Sequence, residues 1–142
     1  MLSKILVPMD DSRPAEHALV YALENHPDAA VTVLNVVGVP SMMMGDAVGL
    51  ALEEDIEKAA AERAESVFER ARNVAANRDR EIETAVAIGH PARAIVDRAD
   101  DYETIVIGSH GKHSEGVTRR ILVGNVAETV VKRAPIPVTV VR

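Results

Sequence analysis

Five short apolar runs, each parted from the next by a long intervening segment, constrain this chain more than any other feature. The runs cover residues 3–9, 30–37, 81–88, 103–107 and 137–141. Val, Ile and Thr recur in them, which suits buried strands. The segments between them carry helical patterns, so each strand is expected to run parallel to its neighbours through right-handed crossovers. The order β-α-β-α-β-α-β-α-β predicts an α/β chain with a parallel sheet covered on both faces by helices.

The helical segments support this reading. Pro14 falls in the first turn of a helix running to about Asn25, where its missing N–H costs nothing. A long helix is expected over about 51–78. There Ile56, Ala60, Ala64, Val67, Ala71 and Val74 recur every three or four residues as one apolar stripe, and charged side chains form the solvated face. Pro91 opens a short helix to about Ala99, and Asn125–Arg133 form the last one. Loops take residues 38–50 and 108–124, the second with a helical turn expected near 117–122. The fold class that follows is a flavodoxin-like, Rossmann-like three-layer sandwich with five parallel strands. In such sheets a ligand sits beyond the carboxyl ends of the strands at the topological switch point, here the loops after strands 1, 2 and 4.

Composition narrows the function. With 142 residues and no linker or repeat, one domain over 1–142 is expected. The chain has one Phe, two Tyr and no Trp, so its core is built from Val, Ile, Leu and Ala, as in a parallel sheet under Ala-rich helices. The absence of cysteine excludes disulfides, thiol catalysis and Cys-based zinc sites. No signal-peptide pattern and no apolar run of spanning length occur, so a cytoplasmic location is expected and no membrane association. A net charge of −6 disfavours a nucleic-acid partner. The charge is uneven, however. Between Gly108 and Arg133 five basic residues stand against two acids, an arrangement that suits a small anion or simply a soluble surface.

The stretch Gly108-Ser109-His110-Gly111-Lys112, followed by Gly124-Asn125-Val126-Ala127-Glu128, carries the most chemical information. Two glycines three apart directly after a strand let the backbone turn sharply and present N–H groups inward. A further glycine opens a helix whose free N–H groups and positive dipole end can hold phosphate oxygens. Asn125 is placed to cap that helix or donate to a phosphate. On spacing alone, phosphate binding and turn shaping both account for these glycines.

Together with three other features, this segment resembles the universal stress protein family. Its nucleotide loop is similar to the family's G-x2-G-x9-G-[S/T]. Ile5-Leu6-Val7-Pro8-Met9-Asp10-Asp11-Ser12 resembles the opening "ILVPVDGS", Gly89-His90-Pro91 the G-x-P entry to the third helix, and Pro135-Ile136-Pro137-Val138-Thr139-Val140-Val141 the closing strand "PVLVV". The resemblance spans essentially the whole chain. It implies an adenine-nucleotide site in which Pro8, Asp10 and Val36 line the adenine and ribose pocket. Gly108, Gly111, Gly124, Asn125 and Val126 would hold the phosphates of ATP, with Ser109, His110 and Lys112 nearby and Mg2+ accompanying them. It also implies a homodimer paired through strand 137–141, at a sheet edge that otherwise leaves backbone groups open. Two departures stand out. Twelve residues rather than nine separate Gly111 from Gly124, the extra ones falling around His113-Ser114-Glu115, and Asn125 replaces the usual Ser or Thr.

Rival constellations are weaker. Asp10-Asp11 would suit the Mg2+ site of a receiver domain, but strand 3 ends without an acceptor Asp and strand 5 without a Lys. Helix capping accounts better for Asp11-Ser12, with Asp11 the expected capping acid. His110 and His113 make two ligands of a metal site and no more. No nucleophile elbow, Walker loop or dinucleotide fingerprint occurs. Met42-Met43-Met44 suits satellite core packing, or closure over a base. Two functions follow: a nucleotide-binding stress or signalling module with at most slow ATP turnover, or an interaction protein of the same fold that binds no nucleotide.

Overall fold

The computed structural model describes residues 3–38, 53–109 and 124–142. The strands are β1 (Lys4–Pro8), β2 (Ala30–Val37), β3 (Glu83–Ile88), β4 (Thr104–Gly108) and β5 (Val138–Val141). The helices are α1 (Arg13–Asn25), α2 (Glu53–Ala76), α3 (Pro91–Arg98) and α4 (Asn125–Arg133), with a 3-10 turn at Ala99–Asp101 after α3. The five expected strands and four expected helices all form. β3 starts two residues later than the apolar run suggested, since Glu81 is exposed and not paired within the ladder. The expected helical turn at 117–122 and the triple methionine at 42–44 lie outside the described residues.

All strand pairs are parallel, in the order β3-β2-β1-β4-β5. β1 lies at the centre, and its residues Ile5, Leu6 and Val7 are fully buried. Alternation along the strands sends their side chains to two cores. On one face Ile5, Val7, Val31, Val33 and Val106 pack under α1 and α2. On the other, Leu6, Leu34, Ile105 and Ile107 pack under α3 and α4. α1 meets its core through Ala15, Ala18, Leu19, Ala22 and Leu23, a spacing that keeps one stripe on the sheet. α2 does so through Ala60, Ala64, Val67, Ala71 and Val74 of the expected stripe, joined by Phe68 and Ala75, while Ile56 is half-buried. The alanines let both helices lie close to the strands.

Helix starts follow local chemistry. Ser12, not Asp11, caps α1: its hydroxyl accepts the Ala15 N–H at 3.3 Å, with Pro14 in the first turn. The expectation for Asp11 fails because the chain becomes helical one residue later. Gly89, at φ +136°, makes the turn between β3 and α3 in a conformation that disfavours any side chain. Gly124 occupies the cap position of α4, so Asn125 is its first helical residue and does not cap it.

Candidate functional site

At the carboxyl ends of β1, β2 and β4 the structure opens into a cleft of about 510 Å³. β1 and β4 are adjacent but leave toward opposite faces, α1 to one side and α4 to the other, and this divergence opens the crevice. One wall is apolar. Pro8, Leu34, Val36, Ile95 and Ile107 line it, contributed by three strands and α3. The opposite end is backbone-rich, with Gly108 and Ser109 ending β4 and Gly124, Asn125 and Val126 opening α4. The two chain segments meet where the Gly124 N–H donates to the Ser109 carbonyl.

The start of α4 is chemically unlike that of α1. In α1 a serine hydroxyl satisfies one of the free N–H groups. In α4 the cap position is Gly124, so among the described residues no side chain does so, and its first turn faces the cleft. α3, whose first residue Pro91 also lines the cleft, likewise lacks a side-chain cap at His90. Uncapped N-termini need partners for their N–H groups, and anions are the partners that the helix dipole favours. The acid in the first turn of α4, Glu128, is paired with Lys132 at 3.0 Å, which offsets its charge.

Asp10 is the one ionisable side chain among the described residues lining the cleft. It is half-buried, and its Oδ1 accepts the Ser12 N–H at 2.9 Å. Asn35 also lines the cleft; it is only 8% exposed, and its Nδ2 donates to the Met9 carbonyl at 2.9 Å. A carbonyl can only accept, so this contact fixes which end of the carboxamide is the amide nitrogen.

Eight of the eleven residues expected at a ligand site are thus gathered around one cleft: Pro8, Asp10, Val36, Gly108, Ser109, Gly124, Asn125 and Val126. His110, Gly111 and Lys112 lie outside the described residues. Sequence reasoning passed over Asn35, Pro91 and Ile95. Asn35 had a signal, being the lone amide in the run Val-Thr-Val-Leu-Asn-Val-Val, where an uncompensated polar group would be costly. Gly108 has a role beyond the loop. A Cβ there would lie 2.6 Å from the Pro14 carbonyl carbon and oxygen, so its bareness lets the first turn of α1 sit against β4.

The family model described as the universal stress protein family matches residues 1–142. The chain belongs to the universal stress protein family. A universal stress protein of Methanocaldococcus jannaschii is 32% identical, with 100% of this chain and 96% of that protein covered. The solved universal stress protein UspA from Lactobacillus plantarum superposes with a TM-score of 0.76 at 30% identity, over 99% of this chain and 97% of that one. A universal stress protein family member from Arabidopsis thaliana, solved with AMP bound, has the same fold, with a TM-score of 0.66 at 17% identity over 98% and 90% of the two chains. No helix among the described residues of this universal stress protein is long and apolar enough to cross a membrane.

Proposed function

We propose that this chain binds an adenine nucleotide in the cleft beyond β1, β2 and β4 and acts as a homodimeric stress-response or signalling module. The observation that carries the reading is the start of α4, with glycine at the cap position and no capping side chain among the described residues, at the polar end of a cleft whose other wall is apolar. A nucleotide has the same division. Its base would take the slot of Pro8, Leu34, Val36 and Ile95, its ribose would lie by Asp10, and its phosphates would meet Gly108, Ser109, Gly124, Asn125 and Val126. The AMP-bound plant relative makes an adenine nucleotide the ligand class to test first.

Mg2+ would neutralise the phosphates. Among the described residues no group of three or more His, Asp or Glu side chains could hold such an ion. Asp10 is the one carboxylate that the described residues of the wall would offer such an ion. ATP turnover is expected to be slow, because Asp10 is the one ionisable side chain among the described residues of the wall.

The second reading, a partner-binding protein that takes up no nucleotide, is favoured by the three extra residues between Gly111 and Gly124 and by Asn125 in place of Ser or Thr. Calorimetric titration of ATP with Mg2+ into protein stripped of nucleotide by unfolding and refolding separates the two. Micromolar binding, weakened by Gly124→Val, supports the nucleotide module. No heat and no thermal shift at millimolar ATP sinks it and leaves the interaction protein.

A further inference from the structure

We propose that Arg70, on α2 and away from the cleft, is a positioning residue that sets the Asp10 carboxylate in the ligand site, an inference resting on the nucleotide reading above. Asp10 stands in the four-residue link Met9–Ser12, which leaves β1 and enters α1. Its Oδ1 accepts from the Ser12 N–H at 2.9 Å. That N–H belongs to the peptide group joining Asp11 and Ser12. The carbonyl of this same peptide group, Asp11 O, accepts from Arg70 Nη1 at 2.7 Å.

One planar unit therefore has its two ends taken, the N–H by the carboxylate and the C=O by the guanidinium. Planarity means that turning one end turns the other. A cation on the carbonyl also strengthens the N–H as a donor, since hydrogen bonds in series polarise one another. Arg70 is itself held, its Nη2 on the Glu16 carboxylate at 2.5 Å in the first turn of α1. A guanidinium offers two parallel donors in a rigid fork, which a lysine ammonium does not. From a position 59 residues away in sequence, α2 thus grips the link and the helix that the link feeds.

The consequence is selective. Loss of Arg70 removes one of the holds on the Asp11–Ser12 peptide and loosens the orientation of the Asp10 carboxylate, which weakens the nucleoside end of the site. The phosphate end, built on β4 and α4, takes no bond from Arg70, whose two partners are the Asp11 carbonyl and Glu16. Loss of one charge-assisted bond acting through a second predicts about 3- to 10-fold weaker ATP binding.

The test is calorimetry of Mg2+-ATP and of Mg2+-tripolyphosphate with the wild type, Arg70→Met, Asp10→Asn and the double variant. Exchange of the Ser12 amide hydrogen is followed in the ligand-free proteins alongside. The expected result is weaker ATP binding by Arg70→Met, unchanged tripolyphosphate binding, no further loss when Asp10→Asn is added, and faster Ser12 exchange. Equal ATP affinity, an equal loss for tripolyphosphate, or additive losses in the double variant would overturn the inference. If the wild type takes up no ATP, the nucleotide reading itself falls. The grip is then judged on the Ser12 amide: unchanged exchange on Arg70→Met overturns it, and faster exchange keeps Arg70 as the residue that sets this link.

Discussion

Gly108 and Gly124 flank the same cleft, but the physical demands on them differ. A methyl group at Gly108 would press on the Pro14 carbonyl and on the Ala15 nitrogen at 2.8 Å, and backbone cannot swing away as a side chain can. Gly108→Ala should therefore cost about 1–3 kcal/mol of folding stability, as overpacking does, visible as a lower urea midpoint with unchanged m. An unchanged midpoint would mean that α1 is free to lift from β4. Gly124 is the better probe of phosphate binding, because it stands at the cap of α4, where a ligand would meet the free N–H groups. A second residue-scale prediction concerns Glu103, just before β4. It accepts hydrogen bonds from the Ser3 hydroxyl and N–H, and these hold its carboxyl below the usual carboxylate range. A depressed folded value stabilises the protein above the unfolded value, and that contribution fades as pH falls through the folded one. The stability difference between wild type and Glu103→Gln should thus favour the wild type at neutral pH and shrink as pH drops below the ordinary carboxylate range. A difference independent of pH would show that the Ser3 contact carries none of it. The packing of Gly108 against α1 was not legible in the sequence, because its contact is with Pro14, 94 positions earlier, and nothing in the charged face of α2 marked Arg70 as the partner of the Asp11 carbonyl.

Whole elements were far more legible, because periodicity is local and a buried face repeats. The α2 stripe, the proline starts of α1 and α3 and the β-branched strands were all readable as such, and they form. Their edges were less so. The structure treats the two outer strands, β3 and β5, differently. The Gly89 N–H donates to the Val37 carbonyl, so by parallel alternation Ala85 and Ala87 face β2, while the backbone groups of Val86 point outward. Arg98, on the helix that follows, turns back and donates to the Val86 carbonyl at 3.2 Å. A charge laid along an exposed edge discourages another strand from adding there. Arg98→Ala should uncover that carbonyl beside the exposed Ile88 and produce species larger than those of the wild type in light scattering at high concentration. Identical scattering profiles would show that the arginine does not guard the edge.

At the scale of the whole molecule, the contrast between these two edges argues for where a second copy would pair. In β5 the Pro137 and Val141 carbonyls accept from the Ile105 and Ser109 N–H groups of β4, so Val138 and Val140 turn their N–H and C=O outward. Among the described residues no side chain bonds those outward groups, and all four strand residues are partly exposed. Val131, 49% exposed on α4, adds apolar surface on the same chain segment. An edge with open backbone groups and valines on both faces lacks the protections that β3 carries, and self-pairing about a two-fold axis would satisfy both. Val140→Pro isolates this idea. Proline removes an outward N–H and leaves the β4 ladder whole, since the bonds to β4 run through residues 137, 139 and 141, and edge strands tolerate it. Sedimentation equilibrium should then find a dimer for the wild type and a folded monomer for Val140→Pro, with far-ultraviolet circular dichroism unchanged. A Val140→Pro protein that remains dimeric would place the contact elsewhere, and a monomeric wild type would dismiss the dimer altogether. If ATP affinity also falls in the monomer, pairing and ligand binding are coupled. The route is short: β5 ends beside Ser109, whose N–H donates to the Val141 carbonyl and whose own carbonyl holds the Gly124 N–H at the start of α4.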